Sequence, residues 1–209
     1  MKKVLKIFLI IMACVLVLFV AYIIRNFTII SNLQKNLKEY LSSTNYHMSV
    51  ISKKVESETV LDYYIKDKRQ VLLQEKNENG NISKTSIYNN GEKIISFYEN
   101  EQEKVAKENS PSAIQVNVPN YFELCDNNLM QKILMSITLK IKKVEYQDKK
   151  CYCIVSIFDK EKEEEYIDIN TGLSLKSITK DSSSERRYEF NNVSENVFEQ
   201  PDISQYTLK

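Results

Sequence analysis

Hydrophobic and polar residues change their rhythm four times along this chain. From Ile7 to Ile24 there is no polar alternation at all: IFLIIMACVLVLFVAYII runs uncharged until Arg25 and Asn26 close it. Eighteen residues at about 1.5 Å each span roughly 27 Å, close to the ~30 Å hydrocarbon core of a bilayer. Val4 and Leu5 lengthen the run, because Lys6 can snorkel to the headgroups. From Phe27 to Leu41 the apolar residues Ile30, Leu33, Leu37, Tyr40 and Leu41 fall three or four apart, which predicts an amphipathic helix ended by Ser42-Ser43-Thr44-Asn45. A helix packed on the domain's sheet is preferred over one lying on the membrane surface as a continuation of the anchor.

Beyond Asn45 the period falls to two. Tyr46, Met48 and Val50 alternate with polar residues, and short runs follow at Val60–Ile65, Val71–Leu73, Ile82–Tyr88 and Ile94–Tyr98. Asn77–Asn81 and Asn89-Asn90-Gly91 separate some of them with residues that tolerate positive φ, so they predict hairpins of an antiparallel meander. Ser110–Pro119 is a break. Asn120 and Glu123 form a capping box. Phe122, Cys125, Leu129 and Ile133 then share the face of a helix that runs to about Met135 and is interrupted at Asn127-Asn128. A second meander is predicted at Ile137–Tyr146, Lys150–Phe158, Glu164–Ile169, Leu173–Thr179 and Arg186–Phe190, with the tail 201–206 lying across the sheet. The expected fold class is α+β: an N-terminal transmembrane helix, then a curved antiparallel sheet, an unclosed barrel, wrapped around helices. Two regions follow, residues 1–25 as cytoplasmic tip and anchor and residues 26–209 as an extracytoplasmic β domain.

Charge decides the orientation of the anchor. Lys2, Lys3 and Lys6 precede the apolar run, so the positive-inside rule keeps the amino terminus cytoplasmic and exports the rest; the span covers about residues 4–24, with Tyr22 near the outer interface. A cleaved signal peptide has a shorter apolar region and a small-residue cleavage site, and neither is present. Ile11-Met12-Ala13-Cys14 loosely matches a lipobox, but ten more apolar residues follow Cys14, which leaves it an ordinary membrane-helix residue. Elsewhere 29 basic residues balance 28 acidic ones, so no global field draws nucleic acid.

The carboxy-terminal half carries a recognisable pattern. Lys149–Val155, then Glu165-Tyr166-Ile167-Asp168-Ile169-Asn170-Thr171-Gly172-Leu173-Ser174-Leu175-Lys176, and Tyr188-Glu189-Phe190 ahead of Phe198 and Pro201 resemble the LolA/LolB-like superfamily of lipoprotein carriers. The likeness is closest to membrane-anchored members in Gram-positive bacteria and covers about 60 residues of motif. It implies an unclosed barrel around helices, with an apolar cavity that holds acyl chains in several relatives. The matching motifs are structural, and no residue of the carriers' ligand set transfers to this chain.

Candidate chemistry is sparse. His47 is the sole histidine and sits on a predicted strand, which excludes a multi-histidine metal site. Cys151 and Cys153 share one face of a strand, at a Cα separation of roughly 6.5 Å that sits at the limit for bonding each other. Cys125 reaches either one; a disulfide of Cys125 with Cys151 or Cys153, worth roughly 3–4 kcal/mol, and plain buried thiols both remain open, ahead of zinc. Asp159–Glu165 is expected as a solvated hairpin tip, Asp181–Ser184 as a polar loop, and Lys140, Lys142 and Lys143 as protection of a strand edge. Tyr46, Tyr63, Tyr64, Tyr88, Phe97, Tyr98, Tyr146, Tyr152, Phe158 and Tyr166 serve a core or a cavity lining equally well.

No catalytic constellation, cofactor motif or metal cluster emerges, and the chain is expected not to be an enzyme. The leading expectation is a membrane-anchored extracytoplasmic binding module holding a lipid or lipoprotein acyl chain. The alternative is an envelope sensory or structural module that binds another protein without a small-molecule ligand.

Overall fold

The computed structural model describes residues 2–109, 128–158 and 161–209. Its elements are α1 (Lys2–Leu41), β1 (Asn45–Lys54), β2 (Ser57–Lys66), β3 (Arg69–Glu78), β4 (Asn81–Asn89), β5 (Ile94–Glu99), β6 (Lys104–Asn109), α2 (Leu129–Thr138), β7 (Lys140–Tyr146), β8 (Lys149–Phe158), β9 (Glu161–Asp168), β10 (Ser174–Ile178), β11 (Ser182–Phe190) and β12 (Thr207–Leu208). All twelve strands join one unclosed sheet in the order β12-β6-β5-β4-β3-β2-β1-β11-β10-β9-β8-β7. Every pairing among them is antiparallel except β12 on β6. The fold is α+β, as the pattern of periods predicts.

The apolar run and the amphipathic segment form one continuous helix of 40 residues. Nothing between them breaks a helix: Arg25 is a good helix former, and the weak former Asn26 has other work for its side chain. The first half of α1 stands free of the domain, with Val4 to Val20 exposed, and is long and apolar enough to cross a membrane. The second half is buried against the sheet. Ile29, Ile30 and Leu33 pack with Leu139, Ile141, Ile154 and Ile167, while Met135 and Tyr152 close over them. Fully burying such side chains contributes about 1.5–3 kcal/mol each. The sheet-packed helix preferred from sequence is therefore present, and it is the same rod as the apolar one.

Two meanders, β1–β6 and β7–β11, become one sheet because β11 returns to pair with β1, setting Tyr46 opposite Phe190 and Met48 opposite Tyr188. The face that meets α1 carries the Tyr46, Met48, Tyr63 and Leu72 cluster. On the other face of β3–β6, Val71, Tyr88, Ile95, Phe97 and Ala106 are covered by Phe198 and Tyr206 from the carboxy-terminal tail. The tail is pinned there by Glu195, which bridges Lys66 (2.7 Å) and Arg69 (2.8 Å). Those two cations hold its carboxyl down at about 2. The tail thus lies across the sheet, as expected, and then adds β12 along its edge.

Several boundaries differ from the sequence expectation. The Ile137-Thr138 pair, expected in a strand, ends α2, and the Ser136 carbonyl in that last turn is taken by Asn26 of α1 across the fold. The interruption at Asn127-Asn128 is seen from one side: the Asn128 side chain caps α2 by accepting from the Gln131 amide at 3.1 Å. The Asn120/Glu123 capping box lies outside the described residues. Ser182 to Ser184, expected as loop, extend β11, where the Ser52 and Ser184 hydroxyls meet at 2.8 Å. β9 starts at Glu161, so most of the expected acidic tip is strand. β6 has only Val105 and Ala106 as apolar signal and is held by pairing on β5.

Gly172, in the turn from β9 to β10, sits against α1. Its φ is +71°, and a Cβ there would lie 2.3 Å from the Leu33 carbonyl oxygen and 2.9 Å from the Leu37 amide nitrogen. Gly172→Ala therefore meets both a left-handed backbone and a collision with helix backbone. Chemical denaturation should show a loss of about 3 kcal/mol or more, beyond the ~1–3 kcal/mol of strain alone. Gly80→Ala, at a φ of +87° but with open space around it, is the control and should lose only the strain term. Equal losses at the two positions would contradict close docking of α1 on this turn.

Candidate functional site

The α1-facing side of the sheet combines an apolar rank with one buried polar cluster. Going outward from α1, cross-strand pairing sets Arg186 opposite Val50 and Val50 opposite Leu61, while Tyr188 faces Met48. Val50, Leu61, Ile65, Ile87, Tyr188 and Phe190 are only half-buried and pack around the enclosed Tyr46, Met48, Tyr63 and Leu72. Burial pushes the Tyr46 hydroxyl up to about 12, with Tyr63 adding to the effect.

At the base of this rank sits Glu165, with 4% of its surface exposed. The Ser174 hydroxyl donates to Glu165 Oε1. Arg186 Nη1 donates to Ser174 Oγ at 2.6 Å and lies 3.4 Å from the same carboxylate oxygen, and its Nη2 donates to Ser177 Oγ at 3.1 Å. Desolvation outweighs these partners and pushes the Glu165 carboxyl up to about 7. Two residues beyond Arg186 on β11, the Tyr188 hydroxyl is cut off from solvent and has no hydrogen-bond partner among the described residues; the same holds for the Asn45 side-chain oxygen. Buried polar atoms without partners are uncommon in folded proteins and mark places where a ligand group or water completes the set.

Glu165 is the largest correction to the sequence reading, which put it in a solvated acidic tip. The signal was present: counting back by twos from Ile167 along β9 reaches Glu165 on the inward face. The charge of the run Glu161–Glu165 obscured it. Only pairing with β10, which brings in Ser174, and with β11 beyond, which brings in Arg186, makes burial of that one carboxylate tolerable.

The opposite face holds a shallower feature. A hollow of about 360 Å³ opens over β2–β4, lined by Val60, Asp62, Leu73, Glu75, Lys84 and Ser86. His47 stands at its rim, half-buried on β1. Its Nε2 is 2.9 Å from Asp62 Oδ1, and its ring stacks on Tyr64 at 4.2 Å. The hydrogen bond from His47 holds the Asp62 carboxyl below its ordinary range. Lys84 pairs with Glu75 at 3.1 Å. This is an open surface of mixed charge.

Cys151 and Cys153 project together from β8 as buried thiols, and burial raises both above the usual thiol range. Cys125, the expected partner of one of them, lies outside the described residues. Cys14 is exposed on the apolar half of α1. Among the described residues no three His, Cys, Asp or Glu side chains converge as metal ligands. Lys140, Lys142 and Lys143 are exposed on β7, the last strand of the described sheet.

No known family's sequence pattern matches this chain, and no curated protein matches it. Solved structures share parts of its shape. An uncharacterised conserved protein from Thermus thermophilus is 16% identical with a TM-score of 0.43, covering 87% of this chain and 98% of that one. MucB, solved in complex with MucA(peri), is 9% identical with a TM-score of 0.36, covering 80% of this chain and 58% of that one. PNGF-II is 10% identical with a TM-score of 0.31, covering 80% and 32%. This chain therefore spans little more than half of MucB and about a third of PNGF-II. At these identities and TM-scores the likenesses assign no family and no role.

The Glu165 shift has a direction that stability measurements read. Unfolded, this carboxyl loses its proton near the ordinary 4.5; folded, it keeps it to about 7. Between those values the folded state binds the extra proton, so the contribution of Glu165 to stability declines as pH rises through the window. In Glu165→Gln, which mimics the protonated form, that decline should vanish. The variant should gain on the wild type by up to about 3 kcal/mol between pH 4 and 8. Parallel pH profiles of the two proteins would contradict a desolvated Glu165.

Proposed function

We propose that this chain is a non-enzymatic binding module tethered to a membrane by α1, with its sheet on the extracytoplasmic side, and that it holds an amphiphile such as a lipid or a lipoprotein acyl chain. The observation that carries the reading is the α1-facing side of the sheet. A half-buried apolar rank, Val50, Leu61, Ile65 and Ile87, leads to a polar group of Arg186, Ser177 and the Tyr188 hydroxyl, which has no partner among the described residues. An acyl chain matches the first part, and the ester or acidic head of an amphiphile matches the second. Ligand sites that bind in this way are mainly apolar with a few fixed polar groups. Lysines before the apolar half of α1 and its free, exposed surface support the tether and its orientation.

A protein-binding role is the second reading, and the outer hollow favours it. Its Asp62, Glu75 and Lys84 suit a polar partner surface, and it lies on the face opposite the proposed ligand site.

Photo-cross-linking with a diazirine fatty acid, on the full chain in membranes, separates the two. Label is expected on peptides of β1–β4 that carry Leu61 and Ile87. The double variant Leu61→Asp/Ile87→Asp should lower it by at least about tenfold, the factor given by 1.4 kcal/mol of lost affinity. Val60→Asp, on the opposite face, should leave it unchanged. Label confined to the apolar half of α1 would overturn the ligand site and favour the protein-binding reading.

A further inference from the structure

α2 presents an apolar face that no described part of the domain covers. Leu129 is 65% exposed, Met130 66%, Leu134 53% and Ile137 38%. At 100° per residue Met130, Leu134 and Ile137 fall within about 60° of one another on the side turned away from Met135, which packs on the α1 core, and Leu129 extends the apolar surface in the first turn. The sequence of α2, LMQKILMSIT, contains no acidic residue, and its one cation, Lys132, lies over the Phe27 ring at 5.5 Å.

The position of this face along α1 is fixed by hydrogen bonds. The Tyr22 hydroxyl donates to the Leu139 carbonyl at 2.6 Å, just past the end of α2. The Asn26 amide donates to the carbonyls of Ser136 (3.0 Å) and Leu139 (3.1 Å). Arg25 reaches the Ile141 carbonyl at 3.3 Å. The carboxy-terminal end of α2 is therefore level with the last residues of the apolar run, where α1 leaves the hydrocarbon core. From that point β7 begins, and Lys140, Lys142 and Lys143 on it are exposed. An apolar helix face and a basic strand lie side by side at the level of the headgroups, which is the pairing that an interfacial helix uses on an anionic surface.

We propose that α2 and the start of β7 form a membrane-docking platform: the Leu129, Met130, Leu134 and Ile137 face enters the headgroup layer of the leaflet that α1 has just crossed, while Lys140, Lys142 and Lys143 engage anionic lipid heads. The platform rests on the reading of α1 as a membrane span. It holds the domain at a set tilt over the bilayer, with the base of the sheet against the lipid from which a ligand would be drawn.

The chain has no tryptophan, so single tryptophans report position directly. Full-length Leu134→Trp, Val17→Trp and Lys68→Trp would each be reconstituted into vesicles of equimolar phosphatidylglycerol and phosphatidylcholine, with or without lipids brominated along their acyl chains. Val17→Trp tests the span and should be quenched by deep bromines. Lys68→Trp, in the β2–β3 turn at the other end of the strands, should emit as in water and stay unquenched. Leu134→Trp should emit to the blue and lose most of its emission to bromines placed high on the chain. In phosphatidylcholine alone, or with Lys140, Lys142 and Lys143 all changed to Glu, that quenching should fall severalfold. If Val17→Trp is quenched and Leu134→Trp is not, the platform is wrong while the anchor stands. A blue but unquenched Leu134→Trp places protein over the face instead of lipid: residues 110–127 if the signal is independent of protein density, a second copy if it rises with it. If Val17→Trp escapes quenching, the anchor itself fails and the platform with it.

Discussion

The architecture depends on how closely the second half of α1 can approach the sheet. At Gly172 the turn between β9 and β10 comes within contact distance of helix backbone, and no side chain fits in that gap. The approach buries Ile30, Leu33 and Leu37 and sets the Asn36 amide 3.0 Å from the Ile169 carbonyl. Asn26 and Tyr22 then fasten the end of α2 to the same helix. One rigid rod thus carries the apolar half at one end and organises the domain at the other. A flexible linker between anchor and domain would let the sheet take any orientation to a membrane, whereas a continuous helix transmits its own tilt to the sheet.

Covering the α1-facing side unevenly has chemical consequences. Near β7–β9 the helix fills the concavity, and the core cluster there is wholly apolar. From the end of β9 next to β10 and on through β11 and β1, the same face contains Glu165, Ser174, Ser177 and Arg186, followed by aliphatic side chains that remain half-exposed. A carboxylate in such a place is costly, and replacing such a buried cluster by well-packed apolar residues is often neutral or stabilising. Its presence, together with a Tyr188 hydroxyl lacking a partner among the described residues, is best explained by work other than stability. The proposed role of holding the polar end of an amphiphile would account for both features at once.

The two edges of the unclosed sheet are treated differently. At one edge β12 adds a short parallel strand to β6, and the tail that leads to it is held by Glu195 on Lys66 and Arg69 and by Phe198 beneath the Arg69 guanidinium at 4.5 Å. At the other, β7 has no described strand beyond it and carries exposed lysines, which discourage strand addition by another chain. The same lysines follow directly on α2, beside the end of the apolar run of α1. Edge protection and attraction to anionic lipid are therefore compatible roles for one set of side chains.

Residue order alone determined what depends on local chemistry. An uncharged stretch behind three lysines needs no partner to be recognised as an apolar helix, and period-two alternation with Asn and Gly turns located most strands because pleat and turn are local properties. The inward position of Glu165 was legible in the spacing from Ile167, though hidden within a run of charges. Tertiary structure decided the rest. That the apolar and amphipathic segments are one rod, that Ile137 and Thr138 close a helix instead of opening a strand, and that β11 returns to β1 all depend on groups brought together from distant parts of the chain. The outward apolar face of α2 belongs to the same class. The hydrophobic pattern shows that a helix has an apolar side, but only the packed fold shows which apolar residues remain uncovered, because burial is a relation between segments and cannot be read from one of them.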